Sequence, residues 1–138
     1  MNTETPKKKN LNQKWHLFDA KVYVLGRLST EVAILLMGKN KVDFVYNLIN
    51  GDKVVIINCD KINFTGNKLA DKLYRRHSGF GGGFKERNLE YYMKIDSTFV
   101  VREAVSGMLP KNKLRDKLLA NLYLYKDDKN PHSGQIKK

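Results

Sequence analysis

The stretch KVVIIN, residues 53–58, sets four β-branched apolar residues in a row behind a lysine. A strand with one wet face alternates apolar and polar residues. An unbroken Val-Val-Ile-Ile run fits a central strand covered on both faces, as in a parallel sheet. Upstream, WHLFDA at 15–20 reads as a short strand over Trp15 to Asp19. LGRLSTEVAILLMGKNK at 25–41 reads as a helix. Val32, Leu35 and Leu36 keep helical spacing, and Gly38 suits the position that ends it. Ser29 or Thr30 is a candidate cap for an early turn, with a start just after Gly26 as the alternative. Strand, helix and buried strand is the order of a right-handed crossover between parallel strands.

NGD at 50–52 is expected to turn the chain into the buried strand, and FTGNK at 64–68 to form another turn. Farther on, KLYRRH at 72–77 is a candidate third strand that delivers a glycine loop. RNLEYYMKI at 87–95 is a short helix candidate. In DSTFVVREAVSGMLP, residues 96–110, Val101, Ala104, Val105 and Met108 repeat at helical spacing. Asp96, Ser97 and Thr98 crowd the start of that helix, and Pro110 ends it by driving Leu109 out of the helical region. NKLRDKLLANL at 112–122 reads as a basic amphipathic helix, and LYLY at 122–125 as a last strand. The whole is one α/β domain over residues 14–126, with helices covering a small sheet. A flexible basic arm precedes it over 1–13, and a polar C-terminal tail follows over 127–138.

Charge narrows the function. The 138 residues carry 26 Lys and Arg against 14 Asp and Glu, a net charge of +12. That excess points to a polyanionic partner, nucleic acid before an anionic membrane surface. No apolar run approaches the roughly 18 residues of a spanning helix. Cys59, the one cysteine, has no intrachain disulfide partner, which suits a reducing compartment. It reads as a buried small hydrophobe and not a nucleophile. The opening MNTETPKKKN lacks the apolar core of a secretory signal, so the N-F-T match at 63–65 is read as chance.

The basic residues gather at YRRHSGFGGGFKER, residues 74–87. From Lys72 to Arg87, five cations stand against Glu86 alone. The glycines satisfy neither G-x-G-x-x-G nor the P-loop pattern, so a nucleotide site is not indicated. Glycines among arginines instead let backbone amides approach phosphate while the side chains supply charge. His77, Phe80 and Phe84 are candidates to stack on unpaired bases, with core packing as the alternative for either Phe. A second basic segment, GMLPKNKLRDKLL at 107–119, carries Lys111, Lys113, Arg115 and Lys117 against Asp116. His16, His77 and His132 lie far apart without a partner motif, so neither metal nor cofactor is expected. Asp52 and Asp60 flank the buried strand, where turn formation and hydrogen bonding are their expected roles.

In order, WHLFDA, LGRLSTEVA, LLMGKNK, NGD, TGNK, RRHSGFGGGFK, AVSGMLPKNKL and PHSGQ make the chain resemble the bacterial and organellar form of large-subunit ribosomal protein thirteen, from Trp15 to Gln135. The resemblance implies a single compact three-layer α/β/α domain around a small mixed or parallel sheet. It implies no enzyme activity and no small-molecule substrate. The implied role is that of a structural constituent of the large ribosomal subunit, binding its RNA, supporting early assembly and translation, and touching neighbouring ribosomal proteins. The place would be the ribosome of a bacterial cytoplasm or of an organelle matrix. Combined with charge and motif, the RNA-binding candidates are Lys72, Arg75, Arg76, His77, Ser78, Gly79, Gly82, Gly83, Lys85 and Arg87, then Pro110, Lys111 and Lys113. Gly107, Met108 and Leu109 share the second motif, the last two as candidate packing residues. The family commonly has Tyr-Pro where this chain has Phe80-Gly81, and Gly-Arg where it has Arg115-Asp116. The alternatives are a free RNA-binding translational regulator and a nucleotide-using α/β enzyme.

Overall fold

The computed structural model describes Lys7 and residues 12–136. Most of the basic arm expected over 1–13 thus lies outside the described residues. The body is built on three strands: β1 (Trp15–Asp19), β2 (Lys53–Ile57) and β5 (Leu122–Leu124). They pair in the order β1-β2-β5, and both ladders are parallel. β2 is central, as its unbroken apolar run requires, and Val54, Val55 and Ile56 are all fully buried.

Two helices supply most of the core. α1 (Leu25–Met37) brings Leu28, Val32 and Leu36, and α4 (Ser97–Met108) brings Val100, Val101 and Val105. Both pack with Val54 and Ile56 of β2 into one cluster. On the other side of the sheet, Trp15 stacks on Tyr123 at 5.4 Å between ring centroids. His132 stacks on Trp15 at 5.0 Å. Polar though it is, the segment after residue 126 folds back here. Tyr125 Oη and His132 Nε2 are 2.8 Å apart, and Asn58 N–H donates to the Asp127 carbonyl.

Local chemistry sets the element ends. At Gly38 (φ 76°) α1 closes in a Schellman arrangement: Lys39 N–H donates to Ile34 O and Gly38 N–H to Leu35 O. Ser29 and Thr30 do not cap it. The helix begins at Leu25, and both hydroxyls donate back to carbonyls four residues earlier, Leu25 O and Gly26 O. Asp96 caps α4 by accepting from Thr98 N–H, and Leu109 leaves the helix in extended geometry before Pro110. Cys59 is buried in a short 3-10 turn, and burial above all pushes its thiol pKa up to about 12, too high for a nucleophile at neutral pH. Asp60 serves as a hydrogen-bond acceptor for Ser97.

Three further expectations change. NGD is not a turn: residues 50–52 lead into β2 with no turn of their own. Gly51 is needed for space instead, because a Cβ there would sit 1.6 Å from the Leu36 carbonyl oxygen. The strand expected at 72–77 forms, as β3 (Leu73–His77), but does not join the main sheet. It pairs antiparallel with β4 (Phe84–Asn88) in a separate hairpin. The basic helix expected over 112–122 contracts to α5 (Arg115–Leu119). Pro110 lies just upstream, and Asn112 takes the Leu114 and Arg115 amides in a turn before the helix can start. Two short helices complete the chain, α2 (Lys68–Asp71) and α3 (Leu89–Ile95).

Asp52 ties the entry of the central strand to the loop that precedes it. Its side chain is 2% exposed. It accepts from Lys41 Nζ at 2.7 Å, His16 Nε2 at 2.8 Å and Lys14 N–H at 3.1 Å. A carboxylate can only accept, so Nε2 of His16 carries a proton. Burial alone would raise the Asp52 pKa, but the bonds from Lys41, Lys14 and His16 together hold it below the usual carboxylate value.

Candidate nucleic-acid interface

β3 and β4 make a two-stranded ribbon rooted in the body at its base. Tyr74 packs edge-on against Tyr92 and Phe99, and Leu89 N–H donates to Lys72 O at 2.9 Å. From that root the ribbon runs outward with little to bury. Arg75, Arg76, His77, Lys85 and Arg87 are exposed. The register sets Arg75 opposite Glu86, with Nε and Oε1 3.6 Å apart. It sets Arg76 directly opposite Lys85. Like charges facing each other across a ladder oppose hairpin formation. An anion lying over the pair reverses that effect.

The tip spans Ser78 to Gly83. Ser78 N–H donates to Gly83 O, and Gly83 N–H to Phe80 O at 3.0 Å, closing a turn over Phe80 to Gly83. Gly82 is its third residue, with φ 71°, a conformation that disfavours other side chains. Gly83 answers to space: a Cβ would fall 2.0 Å from Ser78 Oγ. Gly79 N–H donates to His77 Nδ1 at 2.9 Å, so the imidazole shapes the loop as well as standing exposed on it. Phe80 is 79% exposed and Phe84 is also exposed, so neither is core. Gly81 sits second in the turn, where proline fixes φ in advance. The Phe80-Gly81 departure therefore removes a local restraint at the tip.

Two cations are partly engaged at home. Lys72 Nζ lies 5.4 Å from the Tyr74 ring centroid, and the Arg87 guanidinium 5.1 Å from that of Tyr91. Both contacts set the charged group over a ring while the side chain stays exposed. The second segment follows α4. Leu109 is buried in the core, whereas Met108, Pro110, Lys111 and Lys113 are exposed. Lys72, at the hairpin root, and Gly107 and Met108, at the end of α4, line one groove of about 960 Å³. The fold thus brings the hairpin root toward the second motif, while Lys111 and Lys113 lie beyond that groove's lining. The loop at 39–48 was given no role by sequence reasoning. It flanks Pro110 and Asn112 across a small cleft, and its Tyr46 is exposed.

A basic, glycine-tipped ribbon on a small α/β body, with Arg76, His77 and Lys85 exposed, is a surface suited to the class of nucleic-acid-binding proteins. The family model for ribosomal protein L13 matches residues 13–131. Large ribosomal subunit protein uL13 of Dehalococcoides mccartyi is 47% identical over 135 residues, covering 98% of this chain and 94% of its own. The uL13 proteins of Nitratidesulfovibrio vulgaris and Trichlorobacter lovleyi are each 45% identical, covering 98% of this chain and 94% and 95% of their own. The chain belongs to the ribosomal protein L13 family.

Proposed function

We propose that this protein holds large-subunit ribosomal RNA with two surfaces: the hairpin from Lys72 to Arg87, and the segment from Pro110 to Lys113. As a member of its family it is a structural, non-enzymatic constituent of the large ribosomal subunit. Its partners are those of the ribosome, RNA and neighbouring ribosomal proteins. The bacterial sources of its relatives favour a bacterial ribosome over an organellar one. The body over 14–126 carries both surfaces. The arm over 1–13 adds positive charge, and residues 127–136 cover one face of the sheet through His132.

The observation that carries this reading is the Arg76–Lys85 pair. Two exposed cations are held opposite each other, next to a loop built to bring backbone close to an anion. Arg75, Arg76 and Lys85 would grip phosphates. Gly79, Gly82 and Gly83 would let the backbone approach, with His77 and Ser78 holding the loop. Lys111 and Lys113 would take a second stretch of backbone, with Pro110 stiffening its approach.

Salt dependence tests the electrostatic part. With about six phosphates neutralised, the affinity for a fragment of large-subunit ribosomal RNA should fall with a log–log slope of about −4 to −5. A slope near zero would remove phosphate neutralisation as the basis of binding.

Paired variants test the site. Arg75→Ala with Arg76→Ala should weaken binding at least about tenfold at fixed salt, since charged hydrogen bonds contribute ~1.5–3 kcal/mol each. The salt slope should become shallower by roughly 1.5, and the melting temperature should hardly move. Gly82→Val keeps every charge, so it should weaken binding with the slope nearly unchanged. An arginine double variant that binds like the parent would place the RNA site elsewhere.

A further inference from the structure

The loop between α1 and β2 presents a side chain that the body does not use. Tyr46 is 76% exposed, and its ring is backed edge-on by Phe44 at 4.9 Å and 70°. A single exposed aromatic is ordinary on a protein surface. This one is held on a fastened loop. Lys41 anchors the loop through Asp52 and through Asn12 O, Asn50 Nδ2 donates to Asp43 O, and Phe44 N–H donates to Lys41 O. Phe44, Tyr46, Pro110 and Asn112 line one cleft, so the ring stands beside the second proposed RNA-contacting segment. The cleft holds only about 30 Å³, too little for a base to enter, which leaves the outer face of the ring for contact. Lys39, Lys111 and Lys113 stand exposed on the two segments that meet there, against Asp43. Aromatic face, fixed backbone and surplus positive charge match a stacked base whose phosphates run past lysines. Met37, Val45 and Leu48 line the cleft and Val42 is exposed on the same loop, but the cleft is too small to seat a docked side chain, and an apolar protein segment would have to desolvate the lysines.

We propose that Tyr46 is a stacking platform for an unpaired nucleobase of large-subunit ribosomal RNA, with Lys111 and Lys113 taking the adjoining phosphates. The proposal rests on the RNA-binding reading above and adds to it a third contact element, the loop at 39–48.

The test uses the full chain and deproteinised large-subunit ribosomal RNA from a bacterial ribosome. Tyr46→Ala, Tyr46→Phe and Tyr46→Trp are compared with the parent and with the Arg75→Ala, Arg76→Ala double variant, at several salt concentrations and beside a thermal melt. Ultraviolet crosslinking of the complex is mapped by mass spectrometry. Tyr46→Ala should lose about 5- to 150-fold in affinity, the range that stacking of one base supplies. Its salt slope should be unchanged, because no charge is lost. Tyr46→Phe and Tyr46→Trp should bind within about twofold of the parent, since every aromatic ring offers a face. Position 46 should crosslink to a nucleotide.

If Tyr46→Ala binds like the parent while the arginine variant fails, the platform is overturned and the hairpin reading stands. If both bind like the parent, both fall. If neither Phe nor Trp preserves the affinity, the side chain shapes the loop and the platform is overturned. Should Tyr46→Ala unfold, the Phe and Trp variants and the crosslink decide: parental binding with a nucleotide crosslinked at 46 supports the platform, and absence of the crosslink overturns it. A crosslink from 46 to a ribosomal protein in assembled subunits, with none to the bare RNA, assigns the loop to a protein neighbour and overturns it.

Discussion

Gly51→Ala is expected to prevent this protein from folding. The added Cβ would lie 1.6 Å from the Leu36 carbonyl oxygen, 2.4 Å from the carbon that bears it and 3.1 Å from Leu35 O. All three are backbone atoms at the end of α1, so no side chain can swing aside. Restoring ordinary contact demands a separation of about 2 Å more than the fold has. Neither neighbour can yield it. Asp52 N–H donates to Leu35 O at 2.9 Å, and β2 begins one residue later, buried between two ladders. The crossing is tight from the other side too, because a Cβ on Gly38 would meet Asn50 O at 2.7 Å. The loss should exceed about 4 kcal/mol, the range reserved for gross backbone conflict. Gly66→Ala is the matched control. Gly66 has φ 64° but nothing within 4 Å of its Cβ position, so it should lose only about 1–2 kcal/mol. Circular dichroism and thermal melts of both variants check this. A Gly51→Ala protein that melts within a few degrees of the parent would show that α1 and β2 can separate freely.

Asp52→Ala is expected to lower the melting temperature by roughly 10 °C, from a loss of about 3 kcal/mol on breaking a mostly buried ion pair. Lys41 would keep its charge with no carboxylate, and the Lys14 amide and His16 ring would each lose an acceptor. Asp52→Asn preserves the shape and isolates the charge. A carboxyl whose folded pKa is depressed stabilises the fold above its unfolded value of about 3.9, and that stability drains as pH falls through the lower folded value. The gap in stability between parent and Asp52→Asn should therefore be full at neutral pH. It should shrink as the pH drops from about 4 downward. Urea titrations at several pH values measure it. A gap that stays constant into strong acid would mean that the Asp52 charge contributes nothing.

Much of this could be read from residue patterns. Four β-branched residues in a row identified β2, because only a strand buried on both faces tolerates them. Helical spacing found α1 and α4, and a glycine and a proline marked where each stops. Apart from the shortening of α5, which Pro110 and the Asn112 turn set locally, the misreadings share a cause: they concern contacts between residues distant in sequence. Gly51 looks like a turn residue because glycine's need for space and its conformational freedom leave the same letter. FKERN has no apolar alternation to announce a strand, so β4 is visible only once β3 has a partner. Ser29 and Thr30 resemble caps, yet the chain enters α1 four and five residues earlier, held where Leu25 N–H meets Asn63 O. The hairpin's charges were legible, but their pairing was not. Only the register sets Arg75 against Glu86 and leaves Arg76 facing Lys85.

The order of the strands bears on how the chain is made. β2 pairs with residues 15–19 on one side and 122–124 on the other. The second ladder joins positions 68 residues apart, Val54 and Leu122. The hairpin closes over the six residues from Ser78 to Gly83. Local pairing forms early, and distant pairing waits for the chain to lengthen. During synthesis the β3–β4 ribbon therefore has all its residues before the sheet can receive its last strand. The hairpin proposed to meet RNA is complete before the body that carries it is closed, and translation sets that sequence of events.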